Sequence, residues 1–280
     1  MSGRGAARSS FDKLRMSGRA GMAATRLGCY PGENMRIAIV ADVHSNLEAL
    51  ETVLRHAEEQ KALERVWCLG DTVGYGPEPN ACLALLRGLD AVTVPGNHDL
   101  AAIGLLSTED FNPAAAAAAA WTAAQIVPDE RLYFEGLPHV VHEGDFTLVH
   151  GSLRWPIWEY LYTPEVALAH LALQETPYSM VGHTHVPLLV KEDKDSPDGC
   201  QLHYLEDGTA LELRDRRLVI NPGSVGQPRD GDPRTAYAVY DDHERTVTVH
   251  RLEYDIAATQ KKMEAAGLPD WLIQRLKRGR

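Results

Sequence analysis

The most regular feature of this chain is a short run of apolar, mostly β-branched residues that ends abruptly in polar ones. A run that is apolar at every position predicts a strand buried on both faces, as in a sheet covered by helices. Six such strands are predicted, at residues 35–41, 65–69, 91–94, 146–149, 178–181 and 218–220. The chain therefore repeats one unit, a buried strand followed directly by polar side chains.

The segments between the first strands predict helices. Ser45-Asn46-Leu47-Glu48 matches a capping box, and apolar residues follow it at helical spacing. Residues 78–89 predict a second helix, and Asn112-Pro113 cap and start a third in the alanine run 114–120. Strand and helix in alternation imply right-handed crossovers and a largely parallel sheet. Ligand sites of such sheets lie at the carboxyl ends of the strands, so the polar clusters can converge there.

After residue 138 the pattern changes to strands without intervening helices, at residues 139–143, 186–190, 210–213, 235–240 and 245–253. Residues 191–199 read as a polar hairpin loop, and residues 256–266 and 271–277 as helices. This second part predicts another sheet of mixed or antiparallel character. The expected fold class is α/β, a two-sheet mixed β-sandwich flanked by helices on both outer faces, in a single domain over residues 35–280.

Composition narrows the class of protein. The chain has 280 residues, of which 44% are hydrophobic and 24% charged, as is typical of a globular protein. No apolar stretch approaches the roughly 20 residues that span a bilayer. Four scattered cysteines without a CxxC pair exclude a disulfide scaffold and a thiolate zinc finger, and they favour a reducing, cytoplasmic environment.

Charge is distributed unevenly along the chain. Residues 1–34 hold six basic and two acidic side chains, a net +4, and we expect them to form a disordered N-terminal extension. The whole chain carries −11, so residues 35–280 carry −15. A body this acidic repels a nucleic-acid backbone, and extended nucleic-acid binding is not expected. A phosphate-bearing substrate needs a local positive centre instead, and a metal cluster would provide one.

The polar residues behind the strands include seven oxygen and imidazole donors: Asp42, His44, Asp71, Asn97, His150, His183 and His185. One octahedral ion cannot use seven such groups, whereas two ions that share a carboxylate can. Each motif alone has an ordinary explanation as a turn or cap, although alternate residues of an extended Gly182-His183-Thr184-His185 would aim two imidazoles the same way. Their joint occurrence predicts a two-metal centre, which suits in-line phosphoryl displacement.

The series Asp42-x-His44, Gly70-Asp71, Gly96-Asn97-His98-Asp99, His150 and Gly182-His183-x-His185 resembles the calcineurin-like metallophosphoesterase superfamily, over residues 36 to about 229. The stretches Gly74-Tyr75-Gly76-Pro77 and Asn221-Pro222-Gly223-Ser224 resemble its small bacterial and archaeal phosphodiesterase-like members. The resemblance implies two divalent ions, with Mn expected and Fe, Ni, Co or Zn as alternatives. It implies that Asp42, His44, Asp71 and His185 bind one ion, and that Asp71 bridges to a second ion bound by Asn97, His150 and His183.

The resemblance also implies that His98 is the general acid, which suits a side chain that titrates near neutrality. Asp99 would orient His98 or point elsewhere. Candidates for substrate binding are Ser45 and Asn46 at a helix N-terminus, and Arg154 and Arg229 as phosphate clamps, with capping and solvation as the alternatives. Tyr75, Trp155, Trp158 and Tyr160 are candidates for stacking on an aromatic leaving group, or for packing.

We therefore expect a metal-dependent phosphoric ester hydrolase, a phosphodiesterase or phosphatase. A metal-bridging hydroxide would attack the ester in line, with Asp71 and His98 as the catalytic residues. The alternatives are a protein phosphatase or diadenosine tetraphosphate hydrolase, and a non-catalytic metal-binding scaffold. Protein phosphatases and diadenosine tetraphosphate hydrolases carry Asp-Arg-Gly shortly after Gly-Asp, where this chain has Thr72-Val73-Gly74. A non-catalytic scaffold would have no need of His98. The expected partner is a small-molecule phosphate ester and not a membrane, with a homo-oligomer left open.

Overall fold

The computed structural model describes residues 35–214 and 217–280. The strands are β1 (Arg36–Val40), β2 (Arg65–Cys68), β3 (Val92–Thr93), β4 (Val140–Glu143), β5 (Phe146–Val149), β6 (Tyr178–Met180), β7 (Pro187–Glu192), β8 (Cys200–Tyr204), β9 (Ala210–Glu212), β10 (Leu218–Pro222), β11 (Thr235–Asp241) and β12 (Thr246–Leu252). The α-helices are α1 (Leu47–Glu59), α2 (Pro79–Gly88), α3 (Asn97–Ala102), α4 (Pro113–Gln125), α5 (Pro128–Glu135), α6 (Pro164–Leu173), α7 (Ile256–Ala265) and α8 (Asp270–Arg275), and a 3-10 turn covers Leu276–Arg278. The extension expected at residues 1–34 lies outside the described residues, and the single domain over 35–280 stays a prediction.

Two mixed six-stranded sheets organise the molecule. Their strand orders are β3-β2-β1-β11-β12-β9 and β4-β5-β6-β10-β7-β8. In the first sheet β1, β2 and β3 are parallel neighbours, and in the second sheet β5, β6 and β10 are. The remaining pairs in both sheets are antiparallel. Each sheet therefore directs the carboxyl ends of three adjacent strands to one edge.

The main core lies between the two sheets. Ile37 and Ile39 of β1 contact this inner layer, while Ala38 and Val40 face the helices outside. The same inner layer contains large buried side chains from both sheets: Trp67, Phe146, Leu148, Met180, Ile220 and Tyr240. Because alternate residues of a strand face opposite sides, a strand packed on both faces must be apolar throughout, which is the pattern that the sequence displays.

Helices cover both outer faces, so the predicted sandwich is confirmed. Helices α1 and α2 pack on the first sheet and α6 on the second. The prediction that no helix intervenes after residue 138 is wrong, because α6 lies between β5 and β6. Its residues are apolar almost all the way round, so they carry no amphipathic period. Among the described residues no helix is both long and apolar enough to cross a bilayer.

The capping box predicted at the start of α1 is wrong. Asn46 is the N-cap, and its Oδ1 accepts from the backbone N–H of Ala49 at 3.2 Å. Ser45 instead has a left-handed backbone with φ of 55°, and its buried Oγ has no partner among the described residues. The cap predicted at Asn112 is confirmed, since its Oδ1 accepts from the Ala115 N–H at 3.0 Å.

His170 on α6 links stability to pH. Its Nδ1 accepts from the Leu153 N–H at 3.1 Å, and burial first and the Arg217 charge second lower its pKa to about 4. The unfolded value is about 6.5, so between pH 6.5 and 4 the unfolded chain binds a proton that the folded protein does not. Stability from this residue is therefore lost as the pH falls through that window.

In His170→Asn the amide oxygen can still accept the hydrogen bond from the Leu153 N–H. Between pH 7 and pH 5 we expect the unfolding free energy of the wild type to fall by about 2 kcal/mol more than that of this variant. Urea unfolding at pH 7, 6 and 5 measures this difference. His203→Asn, which changes an exposed histidine, is the control and should follow the wild type. Parallel pH profiles for His170→Asn and the wild type would contradict the assignment.

Candidate metal centre

The loops that follow the parallel strands meet where the two sheets come together. The backbone N–H of Asp42, after β1, donates to the carbonyl of Gly70, after β2, at 3.0 Å. In the second sheet the N–H of Gly182, after β6, donates to the carbonyl of His150 at 2.8 Å. The N–H of His183 then donates to the Asp42 carboxylate at 3.1 Å and joins the two edges. The predicted convergence of strand ends is therefore present.

The candidate ligands form two groups that share Asp71. One group contains Asp42, His44, Asp71 and His185, and the other contains Asp71, His150 and His183. Within each group the potential ligand atoms all lie within 4.8 Å of one another. Oδ2 of Asp71 lies 3.6 Å from Nε2 of His44 and 3.5 Å from Nε2 of His150. That oxygen is thus at the junction of the two groups, where a bridging ligand would be.

Each of the four imidazoles points one nitrogen at a backbone carbonyl. The pairs are His44 Nδ1 with Val73 O at 3.1 Å, His150 Nδ1 with Leu69 O at 2.7 Å, His183 Nε2 with Trp158 O at 3.1 Å, and His185 Nδ1 with Gln227 O at 2.6 Å. A carbonyl can only accept, so the proton of each neutral ring is on that nitrogen. The other nitrogen of every ring is left with a lone pair, as metal-binding histidines require.

These free nitrogens face each other in pairs. Nε2 of His44 lies 3.1 Å from Nε2 of His185, and Nε2 of His150 lies 3.0 Å from Nδ1 of His183. With both protons committed elsewhere, neither pair can form a hydrogen bond, and the two lone pairs repel. A divalent cation on each pair would remove this repulsion. The donor set of imidazole nitrogen and carboxylate oxygen therefore fits two divalent metal ions.

Burial sets the protonation of these groups. It is the largest cause of the lowered pKa of all four imidazoles, which reaches about 4 in His150. It also raises the pKa of Asp71 to about 7 and that of Asp42 well above its usual range, with the neighbouring Asp71 charge adding to the rise in Asp42. The rings are thus held neutral, ready to coordinate. Two buried carboxylates this close together need positive charge beside them to ionise.

The backbone at this rim is strained. Asp42, His44, Asp71, His183 and His185 have φ values of 52°, 48°, 52°, 66° and 60°, in the left-handed region that favours glycine. Each such residue costs on the order of 1 kcal/mol. Five of the ten non-glycine residues with positive φ in the described part of the chain are thus candidate ligands. Gly96 makes room for them, because a Cβ there would lie 2.1 Å from Oδ1 of Asp71.

Asn97 and His98 lie beside Asp71 at the start of α3. The His98 N–H donates to Oδ1 of Asp71 at 2.8 Å. The buried Oδ1 of Asn97 and Nδ1 of His98 have no partner among the described residues. An unpaired buried amide oxygen next to Asp71 fits the ligand role expected of Asn97.

The His98 ring is held by other rings. Its centroid lies 4.2 Å from Tyr75, 4.8 Å from Phe111 and 5.0 Å from His44. Burial, followed by the charge of Arg229, lowers its pKa well below the usual value. Asp99 does not orient the ring, because its two oxygens accept from the N–H groups of Val73 and Gly96, both at 2.9 Å. Asp99 instead ties together the loops that follow β2 and β3.

The four candidate substrate-binding residues have different surroundings. Both side-chain atoms of Asn46 are used within the fold, since Nδ2 donates to the carbonyl of Gly226 at 2.9 Å and Oδ1 caps α1. Ser45 is buried without a hydrogen-bond partner in the described part of the chain. Arg154 already pairs with Glu159, with Nη2 2.5 Å from Oε1. Asn46 therefore has no free group to offer a phosphate, and the charge of Arg154 is already paired with a carboxylate.

Arg229 is the candidate with a free cation near the ligands. Its Nη2 donates to Oε1 of Gln227 at 3.2 Å, and the guanidinium lies 5.9 Å from the Tyr75 ring centroid. No carboxylate forms an ion pair with Arg229 within the described ranges. Its charge lowers the pKa of His44 and His185 and opposes the rise in Asp42 and Asp71. The guanidinium therefore acts electrostatically on the candidate ligands.

Two residues at the site, Gln227 and Arg275, were not predicted. Gln227 accepts from Arg229 and from Nη1 of Arg275, the latter at 2.9 Å, and its backbone carbonyl fixes the His185 ring. Burial and the charge of Arg229 lower the pKa of Arg275 to about 10. Polar residues after β10 could have drawn attention to Gln227. Nothing local marks Arg275, which reaches the site from the distant helix α8.

The comparisons with known proteins agree with this geometry. The model of the calcineurin-like phosphoesterase superfamily domain matches residues 35–245, and the chain belongs to this superfamily. The metallophosphoesterase from Sphaerobacter thermophilus has 47% sequence identity and a TM-score of 0.80, and the match covers 89% of this chain and 100% of that one. The predicted family resemblance and fold class are both confirmed.

Two curated relatives differ in how much of their length is matched. The uncharacterized protein MJ0912 of Methanocaldococcus jannaschii is 36% identical over 249 residues, which are 87% of this chain and 98% of that protein. A symmetrical bis(5′-nucleosyl)-tetraphosphatase of Thioalkalivibrio sulfidiphilus is 28% identical over 178 residues, 59% of this chain and 60% of that protein. The similarity to MJ0912 thus spans nearly the whole relative, whereas the similarity to the tetraphosphatase is partial.

We expect chelator-treated protein to bind two equivalents of Mn²⁺ in isothermal titration calorimetry. Asp71→Asn removes the carboxylate oxygen common to both ligand groups. It should weaken the binding of both Mn²⁺ ions at least about 100-fold, which is more than the loss of a group that only hydrogen-bonds a ligand would cause. Asp145→Asn, at a half-exposed carboxylate paired with Arg245, is the matched control and should retain wild-type binding. Two equivalents of unchanged affinity in Asp71→Asn would refute a shared ligand.

Proposed function

We propose that this protein is a two-metal phosphoesterase that hydrolyses a phosphodiester or phosphomonoester. Asp42, His44, Asp71 and His185 would hold one ion, and Asp71, Asn97, His150 and His183 the other, with Mn the expected metal. The observation that carries the proposal is the pair of facing imidazole nitrogens on each side of Asp71, 3.1 Å and 3.0 Å apart, with no proton to share. Such an arrangement is costly in a protein that binds no cation.

The role proposed for each residue follows from its position relative to the two ligand groups. When bound, two divalent ions supply Lewis acidity toward a phosphate ester and lower the pKa of water. Asp71 would keep the two ligand groups in register, and its Oδ1 is fixed by the His98 N–H at 2.8 Å. Arg229 would bind the phosphate oxygens, because its guanidinium has no carboxylate partner among the described side chains.

His98 would donate the proton to the leaving oxygen. Its Nδ1 is unpartnered in the described structure, and its ring is held against Tyr75 with centroids 4.2 Å apart. Burial keeps the ring neutral in the free protein, because it lowers the pKa of His98. A phosphate anion bound beside it would raise that pKa and favour the protonated form. His98 therefore suits a proton donor that is charged when substrate is present.

Two alternatives are less well supported. Protein phosphatases and dinucleotide polyphosphate hydrolases of this superfamily carry an Asp-Arg-Gly shortly after the Gly-Asp. This chain has Thr72-Val73-Gly74 in that region. The Val73 N–H and carbonyl are occupied by Asp99 and His44, at 2.9 Å and 3.1 Å. A non-catalytic scaffold would have no use for His98 or for an unpaired Arg229. Small phosphate esters are the better-supported substrates.

A reducing compartment, the cytoplasm, is proposed for this enzyme. Cys68, Cys82 and Cys200 are free and buried. Burial raises the pKa of Cys68 to about 12, so this thiol is inert to oxidation and exchange. The acidic surface favours small substrates over nucleic acid. One chain brings together six of the seven proposed ligands, all except Asn97, in the two ligand groups, and a homo-oligomer stays a prediction.

With Mn²⁺ present, we expect cleavage of bis(p-nitrophenyl) phosphate at least comparable to that of p-nitrophenyl phosphate. His98→Ala should lower kcat by about 10²–10⁴-fold, the usual contribution of a general acid. Bound Mn²⁺, measured by elemental analysis, should be unchanged. His243→Ala, at an exposed histidine, is the control. If His98→Ala hydrolysed both esters as fast as the wild type, His98 would not be the general acid. If the wild type hydrolysed neither ester, the proposed function would be wrong.

Gly74 tests the placement of His98 separately. Gly74 has φ of +89°, and a Cβ there would lie 2.7 Å from Nδ1 of His98. Gly208 has φ of +76° and open space around it, so Gly208→Ala carries similar backbone strain without that clash. We expect Gly74→Ala to reduce kcat at least tenfold more than Gly208→Ala, at unchanged metal content. Equal kcat values in the two folded variants would argue against a role for the His98 position.

A further inference from the structure

A cavity of about 620 Å³ lies beside the candidate metal centre. Three of its lining residues are attached to the segment that carries His185. The Tyr162 hydroxyl donates to the Thr184 carbonyl at 2.8 Å, the Arg229 N–H donates to the His185 carbonyl at 3.3 Å, and Val186 directly follows His185. A group linked to a phosphate at the metal centre could therefore extend into this cavity. Its volume is in the usual range for the binding of a drug-sized molecule.

A stack of three rings runs from the ligands to the cavity. Tyr160 stacks on His183 with centroids 3.9 Å apart and planes 16° apart. Tyr162 stacks on Tyr160 at 5.8 Å and 10°, and it lines the cavity. Tyr204, at the end of β8, lines the same cavity with 75% of its surface exposed. Two aromatic side chains thus contribute to walls that solvent can reach.

The charged groups of the cavity suit an ester of phosphate. Arg229 lines the cavity and also acts electrostatically on the candidate ligands. The Asp230 carboxylate is already paired with Arg251, while Glu206 remains as a hydrogen-bond acceptor for hydroxyl or amino groups. Apolar contact in the walls comes from Val186 and Leu205. A ligand with a phosphate, hydroxyls and a planar ring would use all of these features.

We propose that this cavity binds the nucleoside part of a nucleotide ester, with the base against Tyr162 and Tyr204 and the reacting phosphate at Arg229. The inference rests on the proposed phosphoesterase function and names its class of substrate. Tyrosine faces favour a planar base over an alkyl chain, because every base offers a π-face for stacking. The stacking residues considered from sequence, Tyr75, Trp155, Trp158 and Tyr160, do not line this cavity.

Three esters with one leaving group test the proposal: thymidine 5′-p-nitrophenyl phosphate, methyl p-nitrophenyl phosphate and hexyl p-nitrophenyl phosphate. The Mn²⁺-loaded enzyme should have a kcat/KM at least tenfold higher for the thymidine ester than for the methyl ester, mainly through KM. The hexyl ester should gain much less than the thymidine ester. Equal values for the thymidine and methyl esters, or a preference for the hexyl ester, would overturn the inference and leave the phosphoesterase function intact.

Substitution of Tyr204 tests the stacking role most directly, because its exposed ring has few packing contacts to lose. In Tyr204→Ala the thymidine-to-methyl ratio of kcat/KM should fall at least fivefold, and Tyr204→Phe should restore it. Leu132→Ala, at a 66% exposed residue on α5 that does not line the cavity, is the matched control and should keep the wild-type ratio. An unchanged ratio in Tyr204→Ala would overturn the role of this ring.

A binding measurement separates failure of the inference from failure of the proposed function. Thymidine 5′-monophosphate, thymidine and inorganic phosphate are titrated into Mn²⁺-loaded protein by calorimetry. We expect the nucleotide to bind at least tenfold more tightly than phosphate, and Tyr204→Ala to remove most of that difference. If none of the esters is hydrolysed but the nucleotide binds in this way, the proposed hydrolysis fails while the nucleoside cavity stands. If nucleotide and phosphate bind equally, the cavity proposal is wrong.

Discussion

Two pairs of imidazole nitrogens face each other, 3.1 Å and 3.0 Å apart, and neither pair has a proton between its members. The carbonyl groups of Val73, Leu69, Trp158 and Gln227 create this situation, because each fixes a proton on the far side of a ring. The repulsion is costly between buried groups, where electrostatic interactions are stronger than in water. Most features of the site either create this arrangement or make it tolerable.

The fold supplies the rigidity that such an arrangement requires. Parallel strands in each sheet end at one rim, and hydrogen bonds such as that from the His183 N–H to Asp42 tie the rims together. Left-handed backbones at Asp42 and Asp71 turn the chain sharply after each strand, and Gly96 lets it pass against the Asp71 carboxylate. The energy of the strained residues is offset by the buried layer between the sheets.

Much of this could be predicted from sequence because the strands are apolar throughout and end in ligand-type residues. Asp42, Asp71 and His183 can be grouped from the sequence alone. Other features depend on tertiary contacts that leave no local pattern. Helix α6 carries no amphipathic period, and the N-cap of α1 is Asn46 rather than Ser45. Arg275 and Tyr204 approach the site from elements far away in the chain. Side-chain pairing could not be read from the sequence either. Only the fold shows that Arg154 is paired with a carboxylate, whereas Arg229, among the described residues, hydrogen-bonds Gln227 instead.

The position of β1 has a consequence for biosynthesis. This strand carries Asp42 and His44 at its end, and it pairs with β11 through neighbours such as Ile37 and Tyr240. A ribosome must therefore translate past β11 before the first sheet can close around β1, and contacts this distant in sequence form slowly. The nascent chain exposes its histidines and acids long before they can act together. The candidate ligands are therefore brought together only after most of the chain has been synthesised.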